Sequence, residues 1–362
     1  MPIYLDYAAS TPADEQVVEA MCRCMRETTA NPSAAYSAAG SARRELRLCR
    51  QTLAGMLHCD PTELFFTSGG TEANNWAMLA HSCAAVSALE HPSVLNAAPE
   101  ALRIAADAAG IIRPEAVEMA LQNGAKLISV QWANNETGVI QPIAEISRLV
   151  RRYGALLHVD AVQAFGHVPV DARLCDLLSL SAHKLYGPRG AGCLYVRSGV
   201  QLKPLLYGGG QENGMRAGTE NVAAICGLRA AAELAQADME KRASCERALM
   251  DAFVKQIEIP GLRLLGKDSP RLPGIAALYL PGLPAEQAIA DLDLAGIEIS
   301  GGAACHARSA GPSHVYTAMG LSEMEARCVV RISIGRGIAA DDLTQAAGAL
   351  SRVWAQRVRP GR

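Results

Sequence analysis

Short apolar runs alternate with helical patterns between about residues 60 and 200. Several of the runs are apolar almost throughout, as strands buried on both faces of a sheet must be. The predicted strands cover residues 63–68, 125–133, 154–161, 176–182 and 192–197. Helical segments such as 143–154 lie between them and fit crossover connections. This alternation is typical of an α/β fold in which helices cover a parallel sheet.

The pattern changes after about residue 222, where a long helix is predicted. Further strand patterns follow at 274–282, 296–300 and 329–335, with helices between them. We therefore expect a smaller α+β domain after about residue 255. No change in composition marks the boundary.

Composition and charge exclude several function classes. The chain has 34 basic and 36 acidic residues and a formal net charge of −2, which gives no electrostatic case for binding nucleic acid or an anionic membrane. The first ten residues lack the basic and apolar regions of a signal peptide, and no apolar run reaches the roughly 20 residues that span a bilayer. Eleven cysteines in such a chain indicate reduced thiols in the cytoplasm rather than a disulfide framework.

Polar residues follow several predicted strands, where open α/β sheets bind their ligands. Residues 68–71, Ser-Gly-Gly-Thr, lie between a strand and a helix. Glycine lets the backbone approach a ligand and a helix N-terminus favours an anion, so the stretch predicts a phosphate cradle, or else a glycine turn capped by Thr71. Asp160 ends an apolar strand. Its carboxylate would suit a protonated pyridine nitrogen, or would cap a helix.

Ser181, His183 and Lys184 follow the next strand. A lysine in such a place is a candidate for Schiff-base chemistry, with Ser181 and His183 on phosphate oxygens, although a lone lysine can also extend to solvent. Residues 134–136, Asn-Asn-Glu, suggest hydrogen bonds to ligand oxygens, or a turn before Gly138. Together the anion cradle, the pyridinium partner and the lysine imply pyridoxal 5'-phosphate.

Longer segments resemble the cysteine desulfurases, a family of fold-type I, class-V aminotransferase-like enzymes. In order they are YLDYAASTP (4–12), ANPSA (30–34), TSGGTEANN (67–75), EHPSV (90–94), ANNETGVIQP (133–142), HVDAVQ (158–163), SAHKLYGPRGAGCLYVR (181–197), GGGQENGMRAGTEN (208–221), GGAACHARS (301–309) and VRISIGR (330–336). The resemblance covers nearly the whole chain. It implies a large cofactor-binding domain over 13–254 and a small domain, formed by 1–12 and 255–362, that carries a catalytic cysteine.

The resemblance also implies roles for individual residues. Lys184 would form the Schiff base, Asp160 would pair with the pyridine nitrogen, Gln163 would contact the phenolic oxygen, and His91 would stack on the ring. Thr219 would reach the cofactor phosphate of a neighbouring subunit, which implies a homodimer. The cofactor-binding set is Gly70, Thr71, His91, Asn135, Asp160, Gln163, Ser181, His183, Lys184 and Thr219.

The implied reaction converts L-cysteine to L-alanine, with Lys184, His91 and Cys305 as catalytic residues and no metal. Asn31, Asn135 and Arg331 would surround the substrate carboxylate. The thiolate of Cys305 would attack the substrate sulfur and become a persulfide. The spacing after Cys305 resembles the long-loop branch of the family, so the sulfur is expected to pass to a scaffold or carrier protein for iron–sulfur cluster assembly or tRNA thiolation.

The chain departs from the family pattern at a few positions, and three alternatives stay open. Ala303 stands where the family usually has Ser, Tyr36 where it often has His, and Asn213 where Arg is common. A selenocysteine lyase or another aminotransferase-like enzyme would share the scaffold, and an aminotransferase would not need Cys305. A catalytically idle dimer that serves as a docking platform would yield no alanine from cysteine.

Overall fold

Three sheets organise residues 2–301 and 311–358, the part of the chain that the computed structural model describes. The strands are β1 (Ile3–Tyr4), β2 (Leu64–Thr67), β3 (Ala84–Ser87), β4 (Leu102–Ile104), β5 (Leu127–Ser129), β6 (Leu156–Asp160), β7 (Leu177–Ser181), β8 (Gly192–Val196), β9 (Arg263–Leu264), β10 (Ile275–Tyr279), β11 (Ile297–Glu298) and β12 (Val329–Ser333). The largest sheet has the order β2-β8-β7-β6-β5-β3-β4. Its strands are parallel except β8, which is antiparallel to both neighbours. The predicted α/β class is confirmed.

Helices cover both faces of this sheet. In chain order, the helices of the described residues are α1 (Glu15–Glu27), α2 (Ala39–Leu57), α3 (Gly70–Met78), α4 (Pro92–Leu95), α5 (Pro114–Gln122), α6 (Ile143–Arg152), α7 (Val222–Gln256), α8 (Ala285–Leu294), α9 (His314–Ala318), α10 (Glu323–Ala326) and α11 (Ala340–Arg357). Alternate strand residues enter opposite cores, as the pleat requires. Leu177 packs in one core with Trp76 of α3, whereas Leu178 packs in the other with Leu53 of α2 and Ala231 of α7.

A second, smaller layer follows the long helix. Strands β9, β10 and β12 form an antiparallel sheet in the order β12-β10-β9, and β1 pairs in parallel with β11. Its own core contains Leu278, Ile332 and Leu343, together with Phe253 from the end of α7. The predicted strands at 274–282, 296–300 and 329–335 are present with shorter bounds. The predicted division at 254/255 stays a prediction.

No helix in the described ranges is long and apolar enough to cross a bilayer. The described residues also contain no group of three or more His, Cys, Asp or Glu side chains that could hold a metal ion.

Candidate active site

The carboxyl ends of the parallel strands open into a cavity of about 490 Å³. Asp160 and Ser181 are the last residues of β6 and β7, and both line it. Lys184 enters from the turn after β7, and Arg331 enters from β12 of the small layer. The cavity therefore lies where the sheet and the small layer meet. Of the residues proposed from the sequence, it collects Gly70, Thr71, His91, Asn135, Asp160, Gln163, Ser181, His183, Lys184 and Arg331.

The glycine turn before α3 is shaped for a close backbone approach. Gly69 has φ 151°, a conformation that favours glycine, and it offers no side chain to cap the helix. A Cβ on Gly70 would lie 2.6 Å from Cγ2 of Val162. The first backbone N–H groups of this nine-residue helix thus lie at the cavity wall, beside Thr71 and Ser181. An anion is the ligand that such a helix end stabilises.

Two ionisable side chains, Glu72 and His183, lie beside this turn. Burial raises the pKa of Glu72, but hydrogen bonds from Arg216 and Ser68 outweigh that effect and lower it. Arg216 Nε lies 2.8 Å from Glu72 Oε1, so the carboxylate is compensated. Burial lowers the pKa of His183 to about 4, with Lys184 as a further cause. His183 is therefore a neutral hydrogen-bonding group at neutral pH.

A chain of hydrogen bonds connects Asp160 to His91. Asp160 Oδ2 accepts from Asn74 Nδ2 at 2.7 Å, and its Oδ1 accepts from the backbone N–H of Val162 at 2.9 Å. Asn74 Nδ2 also donates to Ser93 Oγ at 2.9 Å, and Ser93 Oγ lies 2.7 Å from His91 Nδ1. Because Nδ1 accepts the Ser93 backbone N–H, the neutral ring carries its proton on Nε2.

Lys184 is held by the N-terminal segment. Its Nζ donates to the carbonyl oxygens of Ala8 at 2.5 Å and Ala9 at 2.9 Å. The backbone carbonyl of Lys184 contacts Nε2 of the buried His167 at 2.9 Å. Two backbone carbonyl oxygens thus hold the amine at the cavity wall.

Buried polar atoms at the cavity lack a partner among the described residues. These atoms are Gln163 Oε1, Asn74 Oδ1 and Glu90 Oε2. Burial, and then the charge of Asp160, raise the pKa of Glu90 well above its usual range. Since orphaned buried polar atoms are costly, the cavity is suited to a polar ligand that would satisfy some of them.

Arg331 is almost fully buried, with 2% of its side chain exposed. Its Nη1 donates to the backbone carbonyl of Asn135 at 3.0 Å, and its Nη2 lies 2.5 Å from Asp6 Oδ1. A guanidinium fixed in this way presents a positive, planar donor group to the cavity. It can bind a small carboxylate.

Known proteins match nearly the whole chain. The family model for class-V aminotransferases matches residues 3–345. The cysteine desulfurase IscS of Dictyoglomus turgidum is 38% identical over 370 residues, covering 97% of this chain and 94% of that protein. The IscS of Methanosarcina thermophila is 38% identical over 359 residues, covering 94% and 89%. The chain belongs to the class-V aminotransferases, among the cysteine desulfurases.

Solved structures of the family are similar over their full length. A NifS-like protein from Rickettsia africae superposes with a TM-score of 0.90 at 31% identity, covering 98% of this chain and 99% of that one. SspA in complex with cysteine superposes with a TM-score of 0.80 at 33% identity, covering 92% and 99%. The predicted fold type and family are confirmed.

Class-V aminotransferases of this kind use pyridoxal 5'-phosphate, and the cavity suits its chemistry. The turn at Gly69–Gly70 fits the phosphate, and the buried carboxylate of Asp160 fits a protonated ring nitrogen. The orphaned Gln163 Oε1 can accept from a bound hydroxyl group. The residues present therefore fit the family's cofactor.

Two residues proposed from the sequence lie outside this cavity, and a third is not among the described residues. Asn31 is exposed, accepts the backbone N–H of Ser33, and is not at the cavity wall. Thr219 lines an adjacent cavity of about 200 Å³, which shares Ser68 and Gly190 with the first. Cys305 lies outside the described residues, as does Ala303. The roles of Asn31, Thr219 and Cys305 stay predictions.

The structure adds site residues that the sequence reasoning missed. Asn74, Ser93 and Glu90 line the cavity, as does His314, whose Nε2 lies 2.9 Å from the carbonyl oxygen of Glu90. Asn74 is one helical turn after Gly70, so it faces the same side of α3. The spacing of Gly70 and Asn74 could have been recognised in the sequence, whereas the position of His314 at the cavity depends on the tertiary fold.

Proposed function

We propose that this cysteine desulfurase converts L-cysteine to L-alanine and carries the sulfur as a persulfide on Cys305. One observation supports it most: a single cavity joins a helix N-terminus suited to phosphate, a buried carboxylate, a lysine amine and a buried arginine. The names of the relatives support the substrate, since they are cysteine desulfurases and one solved relative holds cysteine.

The cofactor would be held by residues of the large layer. Gly70, Thr71, Ser181 and His183 would bind its phosphate, and Asp160 would pair with its ring nitrogen. Pyridoxal 5'-phosphate supplies an electron sink for the carbon that loses a proton. Asn74, by holding Asp160 Oδ2 at 2.7 Å, would keep that carboxylate in place.

The chain's own groups would then bind the substrate and move its protons. Arg331 would bind the carboxylate, beside the backbone carbonyl of Asn135. Lys184 Nζ would take the proton from Cα, since the amine lies at the cavity wall and can exchange its two carbonyl contacts for the substrate. His91 would stack on the ring and, with its proton on Nε2, would give or take a proton near the substrate thiol.

Cys305 would be the nucleophile in sulfur transfer. Its thiolate would form an S–S bond with the substrate sulfur while the C–S bond breaks, and the carbon would gain a proton to become the methyl group of alanine. Several thiols in the described residues are poor nucleophiles, because burial raises the pKa of Cys24 and Cys59 to about 12 and that of Cys193 still further. They do not compete for this role.

The test measures alanine and sulfide from L-cysteine in the presence of a dithiol, which releases the sulfide. Cys305→Ala should keep the yellow colour of the loaded enzyme and lose at least about a hundredfold in sulfide release. Lys184→Ala should lose both alanine and sulfide. Cys83→Ala, at an exposed thiol, is the matched control and should keep full activity. Full activity in Cys305→Ala would contradict the persulfide role.

The remaining expectations belong to the same proposal. We propose a homodimer in which Thr219 contacts the partner's cofactor phosphate, a cytoplasmic location, and a protein scaffold or carrier as sulfur acceptor. The exposure of Thr219, at the edge of a cavity adjoining the first, is compatible with a contact from a second copy. Sedimentation with the Thr219→Ala variant, together with its cofactor affinity, would test this arrangement.

A further inference from the structure

The N-terminal segment 6–11 contacts two groups on which the proposed reaction depends. Asp6 Oδ1 lies 2.5 Å from Nη2 of Arg331, and the carbonyl oxygens of residues 8–9 accept from the amine of Lys184. This segment is part of the YLDYAASTP motif, for which the proposed mechanism has no individual role. One short stretch of backbone therefore connects the proposed carboxylate site with the proposed base.

The backbone around Asp6 is fixed against β12. Asp6 forms an isolated parallel bridge with Ser333, and the Ser333 backbone N–H donates to the carbonyl oxygen of Leu5 at 2.8 Å. The hydroxyl of Tyr4 donates to the carbonyl oxygen of Asp6 at 2.9 Å. Since Ser333 is two residues after Arg331 on the same strand, these contacts bring the side chains of Asp6 and Arg331 together.

The pair is mostly withdrawn from water, with 18% of the Asp6 side chain and 2% of the Arg331 side chain exposed. A guanidinium buried to that extent needs a compensating charge. The Asn135 carbonyl holds Nη1 at 3.0 Å and Asp6 holds Nη2, and acceptors on both terminal nitrogens constrain the plane of the guanidinium.

We propose that Asp6 is a positioning residue that pairs with Arg331 and fixes the plane of its guanidinium for the substrate carboxylate. This inference rests on the proposed function of Arg331. Asp6 acts through Arg331 and does not itself contact the substrate. Its removal therefore weakens substrate binding and leaves the chemical step largely intact.

The decisive variant is Asp6→Asn, which keeps the size of the side chain and a carbonyl acceptor but removes the charge. We expect KM for L-cysteine to rise about tenfold, equivalent to about 1.4 kcal/mol, with kcat changed by less than about threefold. Affinity for the cofactor, followed by its visible absorbance, should stay unchanged. If Asp6→Asn does not yield folded protein, Asp6→Glu should raise KM by a smaller factor, because its extra methylene displaces the guanidinium.

Asp14→Asn is the matched control. Asp14 also pairs with an arginine that follows β12, Arg336, at 3.0 Å, and with 22% of its side chain exposed it resembles Asp6, yet it does not line the cavity. Asparagine retains the helix cap that Asp14 gives to Gln16. KM for L-cysteine should therefore not change in this variant.

A carboxylate-free ligand completes the test. Cysteamine has the amine and thiol of cysteine but no carboxylate, so its inhibition constant should be the same in Asp6→Asn and the unmodified enzyme. An unchanged KM in Asp6→Asn, or an equal loss of cysteine and cysteamine binding, would overturn the role of Asp6. Arg331→Lys separates the proposed role of Arg331 from that of Asp6. If KM is unchanged in Arg331→Lys, the proposed carboxylate site is wrong. If KM is raised in Arg331→Lys but unchanged in Asp6→Asn, only the role of Asp6 is refuted.

Discussion

Glu90 is the most deeply buried acid at the cavity, and its charge state is set by its surroundings. It is fully buried, its Oε1 accepts the backbone N–H of Gln131 at 2.6 Å, and Asp160 is the nearby charge that adds to burial in raising its pKa. Two carboxylates that share a low-dielectric site do not both ionise readily. We infer that Glu90 keeps its proton in the folded protein.

Glu90→Gln tests this assignment through the pH dependence of stability. Because the folded pKa lies above the unfolded one, folded Glu90 keeps a proton that the unfolded chain releases above about pH 4.3, so its contribution to stability falls as pH rises. Glutamine has the same shape and cannot ionise. Relative to the unmodified protein, the variant should therefore gain stability in thermal unfolding as the pH rises above about 5, and it should still bind the cofactor.

Glu240→Gln is the control for that measurement, because Glu240 is exposed on α7. Its unfolding temperature should follow that of the unmodified protein at every pH. A Glu90→Gln protein that is destabilised equally from acid to alkaline pH would mean that Glu90 is ionised in the folded state.

For single residues, the sequence predicts which side chains lie at strand ends better than it predicts the hydrogen bonds and ion pairs between them. Asp160, Ser181 and Lys184 were predictable because each follows an apolar strand of a parallel sheet. The hydrogen bond from Asn74 to Asp160 joins residues 86 positions apart, and the ion pair of Asp6 and Arg331 joins residues 325 positions apart. No local pattern encodes such a pair, since it depends on how the two layers meet.

At the scale of elements, the N-terminus of α3 depends on a residue without a side chain. A Cβ at Gly70 would approach Val162 Cγ2 to 2.6 Å, on the strand-end loop that carries Asp160 and Gln163. We expect Gly70→Ala to lower the free energy of unfolding by roughly 1–3 kcal/mol and to weaken cofactor binding, because α3 and this loop must move apart. Urea unfolding and a cofactor titration would measure both effects.

The clash itself can be tested by relieving it. Val162→Ala in the Gly70→Ala background should restore part of both losses, since it removes the methyl group that the new Cβ meets. Gly55→Ala, at an exposed position of α2 with nothing within 4 Å, should be neutral or stabilise by up to about 1 kcal/mol. No recovery in the double variant would exclude the clash as the cause.

Strands with long apolar runs could be predicted from the sequence, whereas short or partly exposed strands could not. The five strands predicted in the large layer are all present, because runs such as Leu177–Ser181 are buried throughout. Two were missed. Ala84–Ser87 is a short run rich in alanine, which has no strand preference, and Leu102–Ile104 is an edge strand with two exposed residues. Their positions follow from pairing with Leu127–Ser129 and with each other.

At the scale of the whole molecule, one arginine joins the layers. Arg336, just after β12, donates to Asp14 at the start of α1 and to Asp238 of α7, at 3.0 and 3.1 Å. Its guanidinium lies 4.6 Å from the centre of the Tyr186 ring. Tyr186 has φ 66°, unusual for an aromatic residue, and follows Lys184 by two positions. Arg336 thus ties the small layer to the turn that carries the lysine.

Arg336→Gln should therefore lower the stability of the whole protein. We expect a loss of roughly 2 kcal/mol in the free energy of unfolding, because two carboxylates and the Tyr186 ring lose a partly buried cation together. Arg357→Gln is the comparison: Arg357 makes two contacts of 2.7 Å to Asp291, but half of its side chain is exposed, so the loss should be clearly smaller than in Arg336→Gln. Urea unfolding followed by circular dichroism measures both. Equal losses in the two variants would mean that Arg336 contributes no more to stability than an ordinary surface ion pair.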